Sequence, residues 1–192
     1  MKKMRNRKDY DFDSDRPSKR IFTASTYAYY TEHGYTKYPI EFFEMGNDGK
    51  LIPFDSPEAK TTAREDVFVK YGNKIRAYEL KEVKKYPSNI WFKVLKGVIC
   101  ATEKFPAFDE LYAASGIPTS WVEIYPMSDD IRIWDLYGNF DKDSIQHDDF
   151  VFPEIGIDPT SPKVEKDRGL LRVEDAVTIP IIIDKKDKLD DQ

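Results

Sequence analysis

Three side chains in REDVFVKYGNKIRAYELKEVK, residues 64–84, have the types and spacing that could do chemistry together: Asp66, Glu79 and Lys81. VFV and IRAYELK are strand-like runs around YGNK, and Gly72-Asn73 suits a two-residue hairpin turn because both residue types tolerate positive φ. With that turn Tyr71 faces Lys74, each outward pair keeps the same sum of residue numbers, and Asp66 is predicted to fall opposite Glu79. Alternation along a strand puts Lys81 on the same face. Opposed Cβ atoms lie roughly 4.5–5.5 Å apart, so two carboxylates there repel and one lysine offsets only part of it. A hard divalent cation offsets the rest, since Mg²⁺ takes carboxylate oxygens at about 2.0–2.1 Å while keeping several waters. Lys81 beside that ion would orient or deprotonate a water and offset charge on a phosphate. The competing reading is an exposed salt-bridged face without function, which typically contributes under ~1 kcal/mol per pair.

Such residues need elements to hold them. Residues 1–20 mix both charges with almost no aliphatics and read as a flexible arm. A short helix is predicted at about 24–33, stopped by Gly34. PIEFFEM and KLIPFD read as strands joined through GNDG. After the hairpin, Ser88 or Asn89 is placed to cap a helix over NIWFKVLKGVICATEKF, whose Ile90, Val94, Leu95, Val98 and Ile99 recur at helical spacing. FPAFDELYAASG reads as a second helix ended by Gly116. TSWVEIY and IRIWDLY then form a strand pair around PMSDD, and VTIPIIID is one late strand, at an edge because of Pro180. This order predicts an α+β (or α/β) fold with helices packed on a mixed central sheet. Three segments follow: the arm at 1–20, a core domain at 21–140, and an acidic, turn-rich extension at 141–192.

Asp66, twelve intervening residues and then Glu79-Leu80-Lys81 at the end of an apolar strand resemble the core of the PD-(D/E)XK nucleases, the restriction-endonuclease-like fold. The resemblance covers about residues 24–137, and GIPTSWVEIYP with IRIWDLYG is similar to the strand pair after the core in small phage and bacterial members. Glu65 stands where the motif has proline. The resemblance implies Mg²⁺- or Mn²⁺-dependent hydrolysis of DNA phosphodiesters, with Asp66 and Glu79 as metal ligands and Lys81 as the catalytic lysine. It further implies an acid from the first helix, for which Glu32 is the candidate and Glu41 and Glu44 are rivals, and a lysine on the following helix, for which Lys93 fits.

Charge distribution bears on the partner. Lys70 to Lys104 holds nine Lys/Arg against three Glu, whereas Ser128 onward holds nine against seventeen Asp/Glu. The central segment, with Lys84, Lys85, Lys93 and Lys96, would steer a nucleic-acid backbone, and the acidic third would help orient it. One cysteine, Cys100, excludes an internal disulfide and a cysteine-built zinc site; it reads as a small core residue. His33 and His147 lie far apart and suggest no nucleophile–base pair. No apolar run is long enough to span a bilayer and no secretory signal is visible, so the expected location is the host-cell cytoplasm, or a virion if the protein is phage-encoded. The other function class that fits the tyrosine-rich stretch and charged ends is a non-enzymatic component of a large assembly (a virion or host-takeover protein), possibly on a degenerate nuclease fold, acting as a homodimer or with other proteins.

Overall fold

The computed structural model describes residues 16–46, 48–62, 67–83, 97–100, 104–136, 154–157 and 167–182. Helix α1 (Arg16–Glu32) leads into strands β1 (Ile40–Met45) and β2 (Leu51–Pro53), a one-turn helix α2 (Ala59–Thr62), and the hairpin β3 (Val67–Tyr71) and β4 (Lys74–Glu82). Strand β5 (Gly97–Cys100), helix α3 (Phe105–Ser115) and strands β6 (Thr119–Tyr125) and β7 (Asp130–Asp135) follow; β8 (Glu154–Ile157), β9 (Asp167–Arg172) and β10 (Val177–Pro180) end the described chain. Seven strands form one sheet in the order β10-β7-β6-β4-β3-β1-β2, and β5-β9-β8 form a second. The large sheet is mixed, because β4 and β6 run parallel while its other neighbours are antiparallel. The chain is therefore an α+β protein, as its element order predicts.

Alternation sorts the large sheet into two faces with separate cores. Val67, Val69, Tyr71, Tyr78, Val122, Ile124, Ile131, Ile133 and Ile179 pack under Phe22 and Tyr30 of α1. Trp121 and Trp134 point the other way and pack with Phe108 of α3, Leu136 and Leu171 of β9. The two long helices thus lie on opposite faces. A parallel pair needs a crossover connection, and the segment between β4 and β6 contributes α3 to one face of the sheet. Gly116 ends α3 at φ 70°, its N–H donating to Tyr112 O at 2.7 Å.

The hairpin turn falls where the sequence places it, with Tyr71 opposite Lys74 and Val67 opposite Tyr78. Gly72 takes φ 61° while Asn73 does not enter the positive region. That is the pattern of a turn with glycine at its first central position.

Three expectations change. Helix α1 starts at Arg16, so residues 16–20 belong to a helix rather than to the arm. Their charges look solvent-bound in sequence, but Arg16 and Lys19 are buried against Glu44 of β1. Residues 97–100, expected in a helix, form β5 and pair with Gly169–Arg172 of β9. Short apolar runs are ambiguous between helix and strand, and β-branched Val98 and Ile99 fit a pleated surface well. Residues 89–96 and 101–103 of that expected helix lie outside the described residues. Among the described residues the C-terminal extension supplies three strands where one is expected, and β10 joins the core sheet at its edge, consistent with Pro180.

Candidate functional site

Glu79 and Lys81 occupy the C-terminal half of β4, and the parallel register sets Glu79 beside Trp121 and Lys81 beside Glu123 of β6. Tyr78, just before them, turns inward, its ring 5.0 Å from that of Phe22 and its hydroxyl hydrogen-bonded to Tyr30. Glu79 and Lys81 therefore project from the face opposite α1, the face covered by α3. The expected sharing of one face by Glu79 and Lys81 is what the strand does.

Each side chain has a partner of opposite charge. Glu79 is 5% exposed and pairs with Lys104, which stands immediately before α3. The Lys81 side chain is about half exposed, and its Nζ lies 3.8 Å from Oε1 of Glu123. The hydroxyl of Tyr125 donates to Oε2 of Glu123, and Nε1–H of Trp121 donates to Oε1 at 3.4 Å. On the next strand Arg132 stands opposite Glu123; its guanidinium lies 4.5 Å from the Tyr125 ring centroid, and its Nε donates to Asp130 at 3.3 Å.

Burial pushes the Glu123 carboxyl above the ordinary carboxylate range, and the Tyr125 hydroxyl, Lys81, the Trp121 indole and Arg132 offset only part of that. Burial, joined by the charge and hydrogen bond of Glu123, pushes the Tyr125 hydroxyl up as well. Tyr125 thus stays a proton donor to Glu123 across the neutral range. What the face offers chemically is one buried acid matched by a lysine at the start of α3, and a second acid held among aromatics beside a half-exposed lysine.

Several expected members do not gather here. Glu32 is exposed at the end of α1, and α1 packs on the opposite face of the sheet from Glu79, so Glu32 does not join it as a ligand. Glu44 is also on the α1 side, fully buried, with Arg16 Nη1 at 2.6 Å from Oε2, Lys19 Nζ at 2.9 Å from Oε1, and the Asp55 N–H donating at 3.0 Å. Glu41 shares the face of Glu79 but lies two strands away near the hairpin turn, with Lys70 at 4.0 Å. Asp66, Lys84, Lys85, Lys93, Lys96 and His147 lie outside the described residues.

Two residues of this face escaped the sequence reading. Glu123 had a visible signal, a lone acid in TSWVEIY, a strand buried along its whole length. Lys104 had none beyond its place before Phe105-Pro106, because its partner is far away in the chain.

Among the described residues no group of three or more His, Cys, Asp or Glu is placed to hold a metal ion. Glu79 and Glu123 by themselves do not complete a divalent-cation site. Among the described residues no helix is long and apolar enough to cross a membrane. No family model matches the chain, nor does any curated protein or solved structure, so a functional reading rests on this face of β4 and β6 alone.

Proposed function

We propose that the chain is a phosphodiesterase acting on DNA, dependent on Mg²⁺ or Mn²⁺, of the phage or mobile-element type that the Asp66–Glu79–Lys81 pattern resembles. The observation that supports it best is the placement of Glu79 and Lys81 on one face of β4, next to a second acid and a second lysine from neighbouring elements. Lys81 is the exposed cation of the set, and its role is to offset negative charge developing on the phosphate. Glu79, together with Asp66, is the proposed ligand pair for the cation. When bound, that cation would supply Lewis acidity toward water and phosphate. Lys104 pairs with Glu79 and orients it in the resting protein. The basic central segment draws in the nucleic-acid backbone, and the protein works in the host-cell cytoplasm.

Purified protein should nick plasmid or degrade single-stranded DNA with Mg²⁺ or Mn²⁺ and stop with EDTA. Lys81→Ala and Glu79→Ala should each lower the rate by at least about 100-fold. A wild-type protein inert with both cations, or two variants that cut as fast as wild type, would overturn the reading.

A second reading has its own support. Glu79 and Glu123 each already have a lysine partner within the chain, which is how a nuclease-like framework would look once reused to hold other proteins. Fold alone does not decide between them. Inert wild-type protein that forms a stoichiometric complex with a virion or host protein, unaffected by Glu79→Ala, is the outcome expected of that reading.

A further inference from the structure

Every residue of β6 from Thr119 to Tyr125 is buried, and Glu123 is 1% exposed. An aliphatic side chain would fill that place without the desolvation cost that a carboxylate carries. The carboxyl is nevertheless held from several sides. Tyr125 donates to one oxygen, Trp121 donates to the other, and β4 brings Lys81 to 3.8 Å. Of the other charged groups nearby, Arg132 stacks on Tyr125 and bonds Asp130, and Glu79 pairs with Lys104. Lys81 thus comes within ion-pair distance of Glu123.

Lys81 gains from this arrangement. It stands one residue from the end of β4 on a flexible four-carbon stem with about half its side chain in solvent, and such a stem samples many rotamers unless its head is held. A carboxylate that is itself rigid makes a better hold than a surface acid, because only one of the two side chains then loses freedom on pairing.

We propose that Glu123 is the positioning residue of Lys81: fixed by Tyr125 and Trp121, it keeps the ammonium over the face that carries Glu79, where a phosphate would be met. Its catalytic consequence rests on the phosphodiesterase reading. The hold itself does not, and it is measurable in protein without activity.

The direct measurement is hydrogen exchange of the Lys81 ammonium by ¹⁵N lysine NMR on the full chain, with the resonance assigned by its loss in Lys81→Arg. In wild type the Lys81 ammonium should exchange more slowly than other exposed lysines. In Glu123→Gln, which is isosteric, and in Glu123→Ala it should return to their rate, while the amide spectrum reports an intact fold. Glu123→Asp should keep part of the slowing. In the cleavage assay Glu123→Gln should lower kcat about 100-fold with little change in KM for DNA, the size of effect that misplacing a catalytic group produces. Lys81 exchange that is equal in wild type and both variants overturns the proposal, as does lost slowing with an unchanged kcat. Wild-type protein that cuts no DNA defeats the phosphodiesterase reading instead, and the exchange measurement still decides the hold.

Discussion

Glu44 and Glu123 are both buried carboxylates, yet their surroundings move them in opposite directions. Burial pushes Glu44 up, but hydrogen bonds from Arg16, Lys19 and the Asp55 N–H together outweigh it and hold the group below the ordinary carboxylate range. Its contribution to stability is therefore present above the unfolded-state value and lost as pH falls through the folded one. Removing one partner of a buried ion pair leaves the others uncompensated, so Glu44→Gln should destabilise the protein by about 3–5 kcal/mol near neutral pH. Urea denaturation across acid pH is the check, and the variant should lose most of the wild type's steepening at the acid limb. Glu123 runs the other way. Its raised folded value means a contribution that is full below the unfolded carboxylate value and lost as pH rises through the folded one. Glu123→Gln should accordingly gain stability on wild type as pH climbs past the carboxylate range. Unfolding curves of the two proteins over that range would show it, and parallel curves would contradict it.

At the scale of elements, the hairpin sets what β4 presents. Gly72 is held at positive φ, and a Cβ there would come within 3.0 Å of the Tyr38 ring. Gly72→Ala combines left-handed backbone strain with that contact and should cost about 1–2 kcal/mol in chemical denaturation. The register beyond the turn need not change, because both neighbours of the ribbon fix it independently: β1 pairs with β3, and β6 pairs with β4. This double anchoring keeps Glu79 and Lys81 on their face even if the turn is strained. Each edge strand of the large sheet carries a proline, Pro53 in β2 and Pro180 in β10. A proline withholds a ladder donor, which discourages further strand addition at both margins.

Across the whole molecule, the C-terminal strands are structural parts of the core. Leu171 and Ile179 are fully buried, one on each face of the large sheet. The backbone N–H of Ile182 donates to Ser25 of α1 at 2.9 Å, and the Trp134 indole donates to Arg172 O at 2.8 Å. Deleting residues 167–192 would uncover Ile131, Ile133 and Trp134 together, and the truncated chain should lose cooperative unfolding in a thermal melt. The lopsided charge, basic between Lys70 and Lys104 and acidic from Ser128, acts at this scale too. If the basic segment meets a DNA backbone, log affinity should fall linearly with log salt. Glu123→Gln should leave that slope unchanged, while replacing Lys84 and Lys85 should flatten it. A titration of binding against salt concentration separates these outcomes.

Local chemistry was enough to place the hairpin, its register, the stop at Gly116, the edge strand at Pro180 and the common face of Glu79 and Lys81. Each follows from a turn propensity or from strict two-residue alternation, and both act over a few neighbouring residues. What lay beyond sequence was partnership across distance. Arg16 and Lys19 read as solvent-facing until Glu44, on another element, makes burial tolerable for them. Val98 and Ile99 fit helical spacing until β9 offers them a ladder. Lys104 and Glu123 acquire meaning only when a parallel crossover brings α3 and β6 against β4, because charge pairing depends on separation in space and the chain brings these residues together only by folding.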